Sequence, residues 1–89
     1  MTARQLRERL TTQQLKEIDE SQFPSATMLN RLETSLRERE ALADYAEILV
    51  KKVERTRFPS TALLNRIDAV LARLEQQERH EQRRTAAAE

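Results

Sequence analysis

The sequence predicts an all-α protein that folds as an elongated antiparallel three-helix bundle with coiled-coil-like packing. The 89-residue chain has no glycine and only two prolines, which leaves little material for hairpin turns. Leu, Ala, Glu, Gln and Arg dominate the chain and aromatic residues make up only 3% of it, a composition that favours helix over strand. A stretch of the chain also occurs twice, at a spacing typical of helical repeats.

The internal repeat runs from about 15 to 36 and again, thirty-five residues later, from about 50 to 71. Its most similar part reads SQFPSATMLNRLETSL in the first copy and TRFPSTALLNRIDAVL in the second. Proline is disfavoured in a helix interior and restricts the preceding residue to extended geometry, so each Phe-Pro pair predicts the end of a helix. Ser25 and Ser60 then suit the N-cap of the next helix. We therefore expect two overlapping helical hairpins that share a long central helix.

The first helix is expected from about Ala3 to Asp19. Its apolar positions are Leu6, Leu10, Leu15 and Ile18. They spread over about half of a helical wheel, a wider arc than the stripe of a tightly packed helix. We therefore expect this helix to be the most easily displaced of the three.

The central helix is expected to run without a local breaker from Ser25 to about Arg55, a length of about thirty residues. Its apolar stripe drifts slowly, as a heptad repeat does, and such a drift favours left-handed supercoiling. Arg39 lies in the middle of this stripe. Either its aliphatic stem packs while its guanidinium reaches water, or it acts as a polar register device in an apolar seam. The sequence does not decide whether the helix is continuous through Arg39.

The third helix is expected to begin after Ser60 and has the cleanest amphipathic pattern of the chain. Its apolar stripe consists of Leu63, Leu64, Ile67, Val70, Leu71 and Leu74. After this stripe the chain is polar on every side. The sequence therefore predicts a single helical domain over residues 1–84 and a frayed tail over 85–89.

Two phenylalanines occupy equivalent positions in the repeat, each two residues before a predicted cap. We expect the ring of Phe23 to fold over the following helix near Leu29, and the ring of Phe58 to do so near Leu64, as a variant of the hydrophobic staple. The alternative is that these rings contact a partner.

Composition argues against an enzyme, and we expect no catalytic residue, no cofactor, no metal and no small-molecule ligand. The chain has no cysteine for thiolate chemistry, no glycine for a phosphate-binding loop and a single histidine. Glu40, Asp44 and Glu47 share a helical face, but a metal centre in a helical bundle also needs a Glu-x-x-His pairing, which is missing. The longest run of Leu, Ile and Val, 48–50, is too short to span a bilayer. We expect a cytoplasmic protein that does not bind membranes.

The function expected from the sequence is protein–protein interaction through helix faces, as an adaptor, assembly factor or inhibitor. Leu, Ile, Val and Phe make up only about 22% of the chain, so a second copy would add useful buried surface, and a homodimer is favoured. Tyr45 and Ile48 lie off the main stripe of the central helix. They form either an exposed contact patch or the second edge of a wide core stripe.

The alternative function is that of a small DNA-binding accessory or regulatory protein, for example of a plasmid or phage. The repeat places an Asn-Arg pair early in two helices, where recognition helices contact bases. These candidate residues are Asn30, Arg31, Asn65 and Arg66, with Arg79, Arg83 and Arg84 as candidate backbone contacts. Against DNA binding, the net charge is only +1 and acidic and basic residues are balanced along the chain.

Overall fold

The computed structural model describes the backbone of residues 1–88 and the side chains of residues 1–82, and this part of the chain is all-helical. The helices are α1 (Ala3–Glu20), α2 (Ala26–Ser35), α3 (Arg39–Arg55) and α4 (Thr61–Ala88). The all-α class is confirmed. The expected three-helix bundle is not, because the residues described form four helices. The helical backbone continues past 84, and fraying of 85–89 in solution stays a prediction.

The predicted central helix is divided in two at residues 36–38, where the backbone is extended. Leu36 has φ −78° and ψ 115°, and Glu38 has φ −78° and ψ 138°. No glycine or proline lies at the break, so local sequence does not require it. Arg39 is the first residue of α3, has an exposed side chain and pairs with Glu81 at 3.6 Å. It therefore lies outside the apolar core and is not a register device within it.

A side chain from a distant helix satisfies the end of α2 at this break. The last carbonyl groups of a helix lack intrahelical partners. Arg73 of α4 donates from Nη1 to the carbonyl oxygen of Glu33 at 3.0 Å and from Nη2 to that of Leu36 at 2.8 Å. Since Arg73 lies thirty-seven residues after Leu36, the cap that supports the break comes from the tertiary structure.

The repeat appears in the structure as two consecutive pairs of helices, α1–α2 and α3–α4, each joined by a Phe-Pro turn. We call each pair a hairpin; α3 packs against α4, whereas α1 packs mainly against α3. Shifting α1 by the repeat length places it at 38–55, within a residue of the bounds of α3, and shifts the first residue of α2 onto that of α4. Both predicted caps are present: Ser25 Oγ accepts from the amide of Met28, and Ser60 Oγ from that of Leu63, each at 3.1 Å. Such a cap is worth about 1 kcal/mol. The hairpins therefore follow one another and do not share a helix.

Both Phe-Pro turns lie at the same end of the molecule. Lys52, near the end of α3, donates to the carbonyl oxygens of Asp19 at 3.2 Å and Ser21 at 2.5 Å, so the C-terminal ends of α1 and α3 are adjacent. Asn30, early in α2, accepts from Arg66, early in α4, at 2.8 Å. Each turn connects one of these helix ends to one of these helix starts. We call this end of the molecule the turn end.

The hydrophobic core lies mainly among α2, α3 and α4. Its buried members are Ile18, Leu29, Leu32, Leu36, Leu42, Tyr45, Ala46, Leu49, Ile67 and Val70. Helix α1 contributes a single residue to this set, while Leu6 and Leu10 are 50% and 54% exposed. This burial agrees with the loose apolar pattern of the first helix. Within the described residues, no helix has the length and apolar character that crossing a membrane requires.

Candidate interaction surface

The two equivalent phenylalanines are the most exposed aromatic side chains described. Phe23 and Phe58 are each 83% exposed, so the expectation that their rings fold over the following helices is wrong. In a hydrophobic staple the apolar residue directly precedes the cap. Here that position is held by Pro24 and Pro59, which are half-buried. The phenylalanine is therefore one residue too far from the cap, and the extended backbone before the proline directs it to solvent.

Further apolar surface lies in the first turns of α2 and α4. Met28 is 36% exposed and Leu64 is 41% exposed. Leu64 was expected in the apolar stripe of its helix, but its repeat equivalent Leu29 is the one that is buried, at 5% exposure. We define the turn face as the exposed or half-exposed apolar residues at this end, namely Phe23, Pro24, Met28, Phe58, Pro59 and Leu64.

The charges that flank the two turns are opposite in sign. Residues 16–22 contain one lysine and three acidic residues, whereas the equivalent residues 51–57 contain four basic residues and one acidic residue. In the second turn, the guanidinium of Arg57 lies 5.5 Å from the centroid of the Phe58 ring, a distance at which a cation is attracted to the ring face. The repeat has therefore kept the two phenylalanines and reversed the charge around them.

The repeated Asn-Arg pairs do not form two equivalent sites. Arg66 Nη1 donates to Asn30 Oδ1 at 2.8 Å and to Glu33 Oε2 at 2.6 Å, and the side chains of this ion pair are about four-fifths buried. Arg31 and Asn65 are exposed. The structure thus brings together one member from each copy, and the guanidinium of Arg66 is used to join the two hairpins.

Tyr45 is fully buried, with 0% of its surface exposed. Its hydroxyl donates to Glu33 Oε2, the same oxygen that Arg66 contacts. Burial in the core, together with the hydrogen bond to this carboxylate, raises the pKa of Tyr45 above its ordinary value of 10.0. The hydrogen bond to Glu33 also raises the pKa of Arg66. The cluster of Tyr45, Glu33, Arg66 and Asn30 is therefore a structural link between α2, α3 and α4.

The sequence-based contact patch of Tyr45 and Ile48 is consequently wrong as an exposed surface. Ile48 is half-buried and packs against the core, so the two residues form the second edge of a wide core stripe. Among the candidate backbone contacts for DNA, Arg79 is exposed. The side chains of Arg83 and Arg84 lie outside the described residues.

An open groove of about 630 Å³ lies between residues 4–15 of α1, residues 35–38 and the start of α3. Its lining mixes the basic side chains Arg4 and Arg7 with the acidic side chains Glu38 and Asp44. Small-molecule sites are instead mostly apolar with a few convergent polar groups. Among the side chains described, no group of three or more His, Cys, Asp or Glu residues is placed to hold a metal ion.

Three residues with structural roles are not evident from the sequence. In the sequence they look like ordinary charged surface residues, yet in the structure they join distant segments; they are Glu33, Lys52 and Arg73. The helical periodicity of a sequence does not indicate which distant group a charged side chain will contact. These contacts therefore cannot be predicted until the positions of the helices relative to one another are known. Comparison of the chain with protein-family models, curated proteins and solved structures gave no match.

Proposed function

We propose that this protein is a non-enzymatic protein–protein interaction module and that it binds through the turn face. The observation that carries this proposal is the pair of phenylalanines at equivalent positions, both 83% exposed and both at one end of the molecule. A phenylalanine side chain buries about 150–250 Å² when it is covered, and aromatic side chains dominate the energetics of interfaces. Two such rings at one end of the molecule can therefore act as the hot-spot residues of an interface with a partner.

Folding does not account for these rings. The prolines end the preceding helices, and Ser25 and Ser60 cap the following ones through hydroxyl groups. A ring that is 83% exposed adds little apolar burial to the monomer. The described part of the chain has ten buried hydrophobic residues and seven large hydrophobic residues that remain exposed. Binding is the use of this surface that the physical chemistry supports.

DNA binding is the weaker candidate because Asn30 and Arg66 already contact each other within the molecule. A base contact by Arg66 requires its guanidinium to leave a partly buried ion pair at 2.6 Å. Separating such a pair leaves the Glu33 carboxylate without its cation, which is costly.

The proposal is tested by placing a photoreactive phenylalanine analogue, benzoylphenylalanine, at position 23 or 58 in the organism that encodes the protein. Irradiation is expected to link either position to a polypeptide, which mass spectrometry identifies. The same analogue at Leu6, which is also exposed but lies on α1 away from the turn end, is the matched control. If the yield of linked polypeptide from positions 23 and 58 is no higher than from position 6, the interaction function is wrong. Linkage to nucleic acid alone would favour the DNA-binding alternative.

A further inference from the structure

The opposite charges of the two turns are only partly neutralised within the molecule. The side chains of Asp19, Glu20 and Arg55 are exposed, and the described part of the chain shows no ion pair for any of them. The two lysines are different. Lys51 pairs with Glu47 at 3.2 Å, and the ammonium group of Lys52 is held by backbone carbonyl oxygens of the first turn. The first turn therefore presents an exposed ring with uncompensated acids, and the second presents an exposed ring with uncompensated bases.

We propose that the partner that covers the turn face is a second copy of this chain. In this dimer the acidic first turn of each copy contacts the basic second turn of the other. This inference rests on the proposed interaction function and names the partner of that surface. Within one copy the two turns lie side by side, so a two-fold axis that passes between them places the first turn of each copy opposite the second turn of the other.

Charge complementarity selects this arrangement among the possible contacts between two copies. A two-fold contact of first turn with first turn would face three acidic residues with three more, and a contact of second turn with second turn would face two basic clusters. Like charges brought together at an interface oppose association, whereas opposite charges raise the rate of encounter and set the register. Only the crossed arrangement pairs Asp19 and Glu20 with Arg55 and Arg57.

The exposed phenylalanine rings at the turn end supply about half of the area that such a dimer needs. Each exposed phenylalanine ring offers about 170 Å², so the four rings of two copies offer about 700 Å². Stable interfaces bury about 1,200–2,000 Å² in total. The proposed dimer takes its remaining area from the neighbouring apolar and charged side chains, and the apolar ones are Pro24, Pro59, Met28 and Leu64. The rings then form an apolar centre and the charges a polar rim.

A charge-reversal experiment tests whether opposite charges face each other across the dimer, as the crossed arrangement requires. One variant, Asp19→Lys with Glu20→Lys, makes both turns basic, and the other, Arg55→Glu with Arg57→Glu, makes both turns acidic. Each variant alone is expected to dissociate at least about tenfold more readily than the wild type, because like charges now face each other. An equimolar mixture is expected to form a heterodimer with nearly wild-type affinity. The measurement is sedimentation equilibrium at low ionic strength, where exposed charges are least screened.

Two further variants test whether the dimer depends on the exposed phenylalanine rings. Phe58→Ser is expected to raise the dissociation constant by at least about thirtyfold, since the change occurs twice in the dimer and removes a central aromatic contact. Leu6→Ser, an equally polar change at an exposed position outside the turn end, is expected to leave it unchanged. Far-UV circular dichroism verifies that each variant keeps its helicity.

A measurement on the unaltered chain provides an independent readout. Copies with light and heavy nitrogen are mixed, treated with a carbodiimide and analysed for carboxylate–amine links. A mixed-isotope link between Glu20 and Lys51 is expected, because these residues lie in the acidic and the basic turn segments.

Several outcomes would overturn the inference. They are a wild-type chain that stays monomeric up to about 500 µM, a dimer that the mixed charge variants fail to restore, and the absence of mixed-isotope links between the two turns. In any of these cases, photo-cross-linking of position 58 to a different polypeptide would leave the interaction function standing. If photo-cross-linking failed at both positions 23 and 58, the proposed interaction function would be wrong as well.

Discussion

Replacing Arg73 with methionine should destabilise the protein through the distant end of α2. The guanidinium donates two hydrogen bonds, at 3.0 and 2.8 Å, to carbonyl oxygens of the last turn of α2. A hydrogen bond that involves a charged group contributes about 1.5–3 kcal/mol. Methionine keeps most of the aliphatic stem and removes both donors. Because Arg73 is half-buried and water can replace part of what is lost, we expect a loss of about 2–3 kcal/mol in the free energy of unfolding.

The assay is urea denaturation followed by far-UV circular dichroism, with Arg79→Met as the matched control. Arg79 is exposed on the same helix, and a surface substitution of this kind changes stability by about 0.5 kcal/mol or less. Arg73→Lys should fall between the two, because an ammonium group keeps the positive charge but lacks the planar fork that fixes two parallel hydrogen bonds. Equal unfolding midpoints for Arg73→Met and Arg79→Met would refute the role of Arg73 as the cap of α2.

Three further predictions concern the core, the caps and the rings. Because the pKa of Tyr45 is raised in the folded protein, the unfolded chain releases the phenolic proton at a lower pH than the folded chain does. The free energy of unfolding of the wild type should therefore fall as the pH rises above 10.0. Thermal unfolding over that pH range should show a shallower fall for Tyr45→Phe. Ser25→Ala and Ser60→Ala should each cost about 1 kcal/mol in urea denaturation, and no effect from either would mean that the hydroxyl caps are not needed. Phe23→Ser should change the stability of the monomer by about 0.5 kcal/mol or less, measured below the concentration at which it associates; a loss of several times that size would show that the ring belongs to the core.

Local physical chemistry explains the parts of the fold that were predictable. Proline in both copies of the repeat restricts the backbone before it, and serine after it supplies a cap, so both turns and both helix starts follow from a few neighbouring residues. The apolar stripe of α4 is narrow, and its members Ile67 and Val70 are buried as expected. The loose stripe of α1 likewise corresponds to a helix that places only Ile18 fully in the core.

The candidate surface was only half predictable. The repeat draws attention to Phe23 and Phe58, but their direction depends on which residue directly precedes the cap, and that place is taken by proline. Tyr45 shows the opposite case. Its wheel position is compatible with either an exposed flank or a second edge of the core, and the choice depends on where the neighbouring helices lie. In the structure the ring is buried beside Glu33 and Arg66, so Tyr45 belongs to the core.

By itself, the sequence determined the helical class, the positions of the two turns, their caps and the repeat that relates the two hairpins. Each of these follows from interactions between residues close together in the chain. Only the tertiary structure decided that the central helix divides at residues 36–38, that Tyr45 is buried and that both exposed phenylalanines lie at one end. The physical reason is that these features depend on contacts across dozens of residues, such as those of Lys52 and Arg73 with distant carbonyl groups, which no local pattern encodes.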